Sequence, residues 1–217
     1  DISFFVFTME RLKAVERAAK RTEKPARIHI ELETGMHRTG FAENQLEEVV
    51  KILKANSENI TLEGICTHFA GAENLENFGR IIDQIKTYKQ LERWFQEWGL
   101  EPAYRHMACS AGVLNFPDSS LDLVRVGISN YGFWPSNETK MLHFENGTTP
   151  IDPLRQVLSW KSKVMSVNHV AEGEYVSYGT SYLTNRESKI ATVPVGYGYG
   201  FSRNLSNMRH VLINGKR

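Results

Sequence analysis

The feature that most constrains this chain is an alternation of two periods between residues 2 and 131. Short apolar runs with a two-residue period are each followed by a stretch with a three-to-four-residue period. Ile2 to Phe7 is almost continuously apolar, which predicts a strand buried on both faces. Ile28, Ile30 and Leu32 alternate with His29, Glu31 and Glu33, and Leu62 to Phe69, Ala103 to Ser110 and Leu123 to Tyr131 read as three further strands. Between them lie helical stretches. Met9 to Lys20 carries Leu12, Val15, Ala18 and Ala19 at helical spacing, and a second stretch places Leu46, Val49, Val50 and Leu53 on one face. Leu75 to Trp98 repeats Phe78, Ile81, Ile82, Ile85, Tyr88, Leu91 and Phe95, with Gly99 where a left-handed cap is wanted, and a short helix follows Ser110. The order β-α-β-α-β-α-β-α-β means parallel strands joined by crossover helices.

After Trp134-Pro135 the texture changes. A polar loop with two prolines runs to Pro153, and the remainder holds short strand-like runs without helices: Gln156 to Asn168, Glu174 to Tyr178, Lys189 to Val195 and His210 to Ile213. The expected organisation is an α/β portion over residues 1–150 and a β-rich portion over 151–217. A closed barrel takes eight strands and about 250 residues, so five β/α units leave either an open sheet or a piece of something longer.

Bulk properties exclude some classes. The hydrophobic fraction of 41% supports a real core. A net charge of +1 gives no electrostatic case for nucleic acid or an anionic membrane. No apolar run approaches the ~20 residues of a membrane span. The opening DISFFVFTMERL lacks the basic and small-residue parts of a signal peptide. Cys66 and Cys109 each sit inside a strand-like run, which fits reduced thiols in a cytoplasmic protein. No metal site is assigned.

Sites in α/β folds gather at the C-terminal ends of the strands. The second unit brings Arg38 to that mouth, the third His68, the fourth Ser110, and the fifth Arg125 with Gly127 and Ile128. Singly, each has a plain explanation: a structural histidine, a helix-capping serine, an Arg125–Asp122 pair. Together they suit a ligand with a phosphate and a carboxylate, Ser110 and the Gly127 and Ile128 amides forming a phosphate nest. Glu31, a carboxylate in mid-strand, is either solvated on an edge or directed at Arg38. In KIATVPVGYGYGFSR the glycine spacing is wrong for a dinucleotide loop, and no helix follows. What remains is Tyr197 and Tyr199 on a glycine-flanked loop. A phenol with a pKa near ~10 becomes a usable base beside Arg and His.

ETGMHRTGF, THFAGAEN, HMACSAGVLNFP, VRVGISNYGFWPS, VSYGTSY and VPVGYGYGFSRNLSN stand in this order along the whole chain. They resemble the alanine racemases, fold-type III pyridoxal 5′-phosphate enzymes. The resemblance implies a partial (β/α)8 TIM-type barrel followed by the start of a mostly β domain. It also implies a cytoplasmic homodimer with shared active sites, acting on alanine and supplying D-alanine for peptidoglycan. By the same resemblance, Arg38 binds the substrate carboxylate and the cofactor's phenolic oxygen. His68 stands beside the cofactor ring and bonds Arg125, which faces the pyridine nitrogen. Ser110, Gly127 and Ile128 hold the phosphate. Tyr197 is one of two opposed acid–base groups, the other being a lysine. The position of Glu31 is a carbamylated lysine in many members, so a Glu31–Arg38 ion pair that aims Arg38 is expected.

Three departures stand out. The KANAYG-like segment whose lysine anchors the cofactor in the family does not occur in this sequence, so the chain reads as an internal portion of a larger racemase, inactive alone. Tyr199 replaces the usual aspartate of GYADG, and Cys109 replaces the usual asparagine before the phosphate serine. A serine or broad-specificity racemase is the neighbouring alternative, and a non-catalytic binding or assembly module is the alternative of another class. Decarboxylases of this fold carry an acidic residue at the pyridine nitrogen, against which Arg125 argues.

Overall fold

The computed structural model describes residues 2–147 and 151–216. It divides into two compact units, Asp1–Val157 and Leu158–Arg217. The boundary expected at residue 150 abuts 148–150, which lie outside the described residues.

In the first unit the strands β1 (Ser3–Val6), β2 (Ala26–Glu31), β3 (Ile60–Cys66) and β4 (Tyr104–His106) form one parallel sheet in chain order. The crossovers are the helices α1 (Met9–Thr22), α2 (Leu46–Ala55) and α3 (Phe78–Glu97), with the short α4 (Ser110–Asn115) and α5 (Asn137–Asn146) beyond β4. This is the architecture of a partial (β/α)8 barrel. Helix α1 begins where the Thr8 hydroxyl accepts from the Arg11 amide, and it ends with Glu23 in the left-handed region at φ 54°. Its last turn carries Lys20 and Arg21 near the carbonyl end of the dipole. Gly99, at φ 70°, closes the turn after α3 as its position predicts.

The core lies between one sheet face and the helices. Val6, Ile28, Ile30, Leu32 and Ile65 meet Leu12, Leu46, Val49, Val50, Leu53, Ile81, Tyr88 and Phe95 there. Three expectations need correction. Phe4 and Phe5 are 52% and 46% exposed, because β1 has a strand neighbour on one side only among the described residues, and the helices cover Val6 alone. On α3, Ile82 points outward while Gln84 is buried, so one polar side chain interrupts the apolar stripe. The fifth strand shrinks to a single parallel bridge, Cys109 to Arg125, because the chain turns at Gly127 into a 3-10 turn over Ile128–Tyr131.

In the second unit β5 (Ser166–Val170) pairs antiparallel with β6 (Ser188–Thr192). A further bridge joins Tyr175 to Leu183. Thr184, buried, ties this turn down by accepting from the Glu174 amide at 3.0 Å and donating to the Ala171 carbonyl at 2.6 Å. The strand expected over His210 to Ile213 is absent from the described residues, Ile213 making only a bridge to Lys216.

Candidate functional site

Period-2 alternation leaves a second sheet face, opposite the helices, on which the aromatic rings of Phe5 and Tyr104 and the Cys66 thiol stand among polar side chains. Residues Ser3, Arg27, His29, Glu31, Glu63 and His106 stand there, and the loops at the C-terminal ends of the strands carry the expected site residues above them.

The loop after β2 is shaped from within. Glu33 accepts from the Gly35 amide and, at 2.8 Å, from the His37 amide, while His37 takes φ 57° and Gly40 φ 118°. A Cβ at Gly40 would stand 2.7 Å from the Glu33 nitrogen, so only glycine lets the loop return to the bridge between Leu32 and Phe41. This folding leaves Arg38 exposed. The Glu31–Arg38 ion pair does not form. Glu31 instead accepts from the Thr39 hydroxyl at 2.9 Å, one residue further on, and Arg38 has no ion pair among the described residues. Its positive charge still acts on His68.

His68 is half-buried at the end of β3. Burial, then the charges of Arg125 and Arg38, hold its pKa below the ordinary imidazole value, so the ring is neutral. Its backbone is held by Gln84, whose side-chain amide donates to the His68 carbonyl at 3.0 Å and to the Thr34 hydroxyl at 3.2 Å, and accepts from the Ala70 amide at 2.8 Å. Buried Gln84 therefore joins the loops after β2 and β3.

Arg125 is held by the ends of β3 and β4. Its backbone amide donates to Ala108 at 2.9 Å. Nη2 donates to the Thr67 carbonyl at 2.5 Å and lies 3.4 Å from both the Met107 carbonyl and His68 Nδ1. Nη1 donates to His106 Nδ1. Asp122 is taken by Arg105 in a two-pronged pair, so the plain Arg125–Asp122 reading falls. Among the described residues the Arg125 Nε–H has no acceptor.

Ser110 is the first residue of α4, not its cap. Its Oγ accepts from the Gly127 amide at 2.9 Å and lies 3.5 Å from the Ser129 amide. With its lone pairs engaged, its O–H must find an acceptor elsewhere. The Ser129 hydroxyl is buried with no partner among the described residues. Two hydroxyl donors in want of an acceptor, beside the turn at Gly127 and Ile128, fit an anion such as a phosphate. Nothing blocks the approach at Gly127, where the nearest neighbour of an added Cβ is Ser110 Oγ at 4.0 Å.

Cys66 and Cys109 are free. Burial pushes the Cys66 thiol up to about 12, which makes it inert.

The structure thus brings Glu31, Arg38, His68, Ser110, Arg125, Gly127 and Ile128 to one end of one sheet. Tyr197 belongs to the second unit, on a 3-10 turn over Tyr197–Tyr199, exposed as Tyr199 is. A second tyrosine turn was missed by sequence reasoning. Tyr178 is 93% exposed and is flanked by Ser177 at φ 63° and Thr180 at φ 48°, strained positions for side-chain-bearing residues. Such strain clusters where a side chain must be presented. The VSYGTSY motif was its only signal. Also missed were Gln84, Glu33, Ser129, and the imidazoles of His29 and His106. Their signal, polar residues at alternate strand positions, reads as an edge until the register is known.

Residues 1–135 match the family described as alanine racemase, N-terminal domain, and residues 157–217 match alanine racemase, C-terminal domain. Alanine racemase 1 of Oceanobacillus iheyensis is 38% identical over 216 residues, covering 99% of this chain and 54% of that protein. Alanine racemase of Clostridium novyi is 37% identical over 221 residues, with 100% and 54% coverage. Among solved structures, alanine racemase from Streptomyces coelicolor A3(2) aligns with a TM-score of 0.87 at 32% identity, over 99% of this chain and 55% of that one. The chain spans about half the length of the curated relatives it matches.

Proposed function

The chain belongs to the alanine racemase family, and from that premise we propose that the full-length protein interconverts L- and D-alanine with pyridoxal 5′-phosphate held at the mouth of this sheet. The observation that carries the cofactor reading is the Ser129 hydroxyl, buried with no partner among the described residues, next to Ser110, whose Oγ accepts from the Gly127 amide and whose O–H is left to donate. That pocket takes the phosphate, with the Ile128 amide as a further donor. When bound, the cofactor supplies an electron sink for the substrate's α-carbon.

The chain's own residues do the rest. Arg125, an arginine that keeps its charge, would present a donor to the ring nitrogen and keep that nitrogen without a proton of its own, which would restrain the sink and favour return of the α-proton over other outcomes. Neutral His68, 3.4 Å from Arg125, would stand beside the bound ring. Exposed Arg38 takes the substrate carboxylate. A tyrosine of the second unit, contributed across a homodimer, moves the proton on one face. Tyr197 is the candidate from resemblance, and the strained turn at Ser177–Thr180 favours Tyr178. A cytoplasmic enzyme feeding peptidoglycan synthesis is the setting this reading implies.

The test uses full-length protein. It is expected to take up pyridoxal 5′-phosphate with a visible absorbance band and to exchange the α-proton of alanine, and Ser110→Ala is expected to weaken uptake. Borohydride reduction is expected to fix the cofactor on a lysine outside these 217 residues, since among the described residues no lysine stands at a strand mouth. Absence of uptake, or attachment at a lysine of this chain, refutes the reading. Comparing Tyr197→Phe with Tyr178→Phe identifies the base: its loss slows exchange on one face far more than on the other.

A further inference from the structure

One buried polar cluster takes no part in that account. On the sheet face opposite the helices, His106 Nε2 lies 2.8 Å from His29 Nδ1, and His29 Nε2 lies 3.3 Å from Glu63 Oε2. His29, His106 and Glu63 are all buried. Ser3 and Arg27 close the far end by donating to the Glu63 carboxylate. Those contacts, that of Ser3 foremost, hold the Glu63 pKa below the ordinary carboxylate value, so it is anionic.

The chain has only one direction in which it can be satisfied. Arg125 can only donate, so His106 Nδ1 must accept and the His106 proton must sit on Nε2. That proton points at His29 Nδ1, which must accept in turn, leaving the His29 proton on Nε2, facing Glu63. Both rings then carry the hydrogen-bonding proton on Nε2. Burial and the Arg125 charge hold His106 down, to about 3, in agreement with this assignment.

Two backbone features are committed to this geometry. The β2–β3 ladder slips between Ile28 and His29, Ile28 pairing with Leu62 but His29 with Gly64. The extra residue is Glu63, and a bulge of this kind re-aims a side chain. Gly64 then has no room for a side chain: a Cβ would stand 2.3 Å from His29 Nδ1. A barrel interior is ordinarily filled with branched apolar residues. Here the bulge and the glycine are spent on seating an imidazole between a carboxylate and a second imidazole.

We propose that Glu63, through His29 and His106, is a positioning residue for Arg125. The chain occupies Nη1 with a fixed acceptor while the Thr67 and Met107 carbonyls occupy Nη2, and this leaves Nε as the one guanidinium nitrogen without an acceptor among the described residues. The proposal rests on the reading of the mouth as a pyridoxal 5′-phosphate site. It adds that the donor offered to the ring nitrogen is set by a carboxylate on the far side of two imidazoles.

The test is a double-mutant cycle in the full-length protein with Glu63→Gln and Arg125→Lys, read by the absorbance maximum of the bound cofactor and by kcat and KM for alanine. Glu63→Gln is expected to shift the band and lower kcat about tenfold with KM little changed, the pattern of an interaction lost at the reacting centre. With Arg125→Lys already present, the same substitution is expected to do almost nothing further. His29→Gln, which cuts the chain elsewhere, is expected to behave like Glu63→Gln and serves if that variant does not fold. Equal effects with and without Arg125→Lys, or an unmoved band, would overturn the proposal. If the wild type takes up no cofactor, the reading of the mouth falls first and takes the proposal with it. Uptake with an additive cycle refutes the positioning role alone.

Discussion

The two faces of the four-stranded sheet differ more than any two elements of the molecule. Toward the helices stand Val6, Ile28, Ile30, Leu32 and Ile65, each no more than 1% exposed. On the other face the polar groups gather, with Ser3, Arg27, His29, Glu31, Glu63 and His106 beside Phe5, Cys66 and Tyr104. The strands thus separate stability from chemistry by the parity of the residue number, interrupted once by the bulge at Glu63. The lesson is that a substitution's consequence should follow its face more than its distance from Arg125.

The largest break in stability is expected on the helix face. Ile30→Ala empties a site that is 0% exposed, and a Leu- or Ile-to-Ala change of this sort costs about 2–5 kcal/mol. Urea unfolding of the full-length protein would show the lowered midpoint, with the bound-cofactor band unmoved. A shifted band at unchanged stability would mean that the faces are not independent.

Next comes Gly64→Ala, which adds one methyl group on the polar face. It must push the His29 ring aside, and overpacking of this kind costs about 1–3 kcal/mol. Here the band is expected to move as well, because the ring that shifts bonds His106. A variant that loses stability with the band unmoved would show His29 to be packing and nothing more.

Much of the first face could be read in the sequence because its signal is local. The alternation at Ile28, Ile30 and Leu32 and the helical repeat of Leu46, Val49, Val50 and Leu53 survive intact in the core. The second face could not be read, because it depends on register. His29 and His106 are 77 residues apart and meet only after β2, β3 and β4 have paired with one residue skipped. The same limit explains Glu31. Sequence placed it near Arg38, yet the turn angles at Gly35, His37 and Gly40 bring Thr39 to it instead. Phe4 and Phe5 misled for a different reason: apolar composition reports what a strand can bury, and neighbours decide whether it does.

Acid separates the faces by a smaller, graded effect. The pKa of His106 falls from 6.5 to about 3 through burial first, then the Arg125 charge. Below 6.5 the unfolded chain therefore binds a proton that the folded chain refuses. The contribution is fully present above that value and is lost as pH drops toward 3, by at most about 1.4 kcal/mol per pH unit. Glu63 and Asp122, both held below ordinary carboxylate values, add to the loss further into acid. Unfolding midpoints are expected to fall between about pH 7 and about pH 5, and His106→Gln to flatten that dependence. An equal slope in the variant would place the titrating group elsewhere.

The smallest effect is expected at the mouth itself, where Glu31 holds Thr39 and not Arg38. Thr39→Val deletes one hydrogen bond, worth about 0.5–1.5 kcal/mol, and frees the loop that presents Arg38. The expected result is a KM for alanine raised a few-fold with kcat unchanged, since under the proposed function Arg38 would bind the substrate carboxylate alike in ground and transition states. Glu31→Gln keeps an oxygen that accepts from Thr39, so it should raise KM less than Thr39→Val does. The opposite ranking would show that the charge of Glu31 reaches Arg38 in the complete protein, and that the carboxylate aims the guanidinium directly instead of through the threonine beside it.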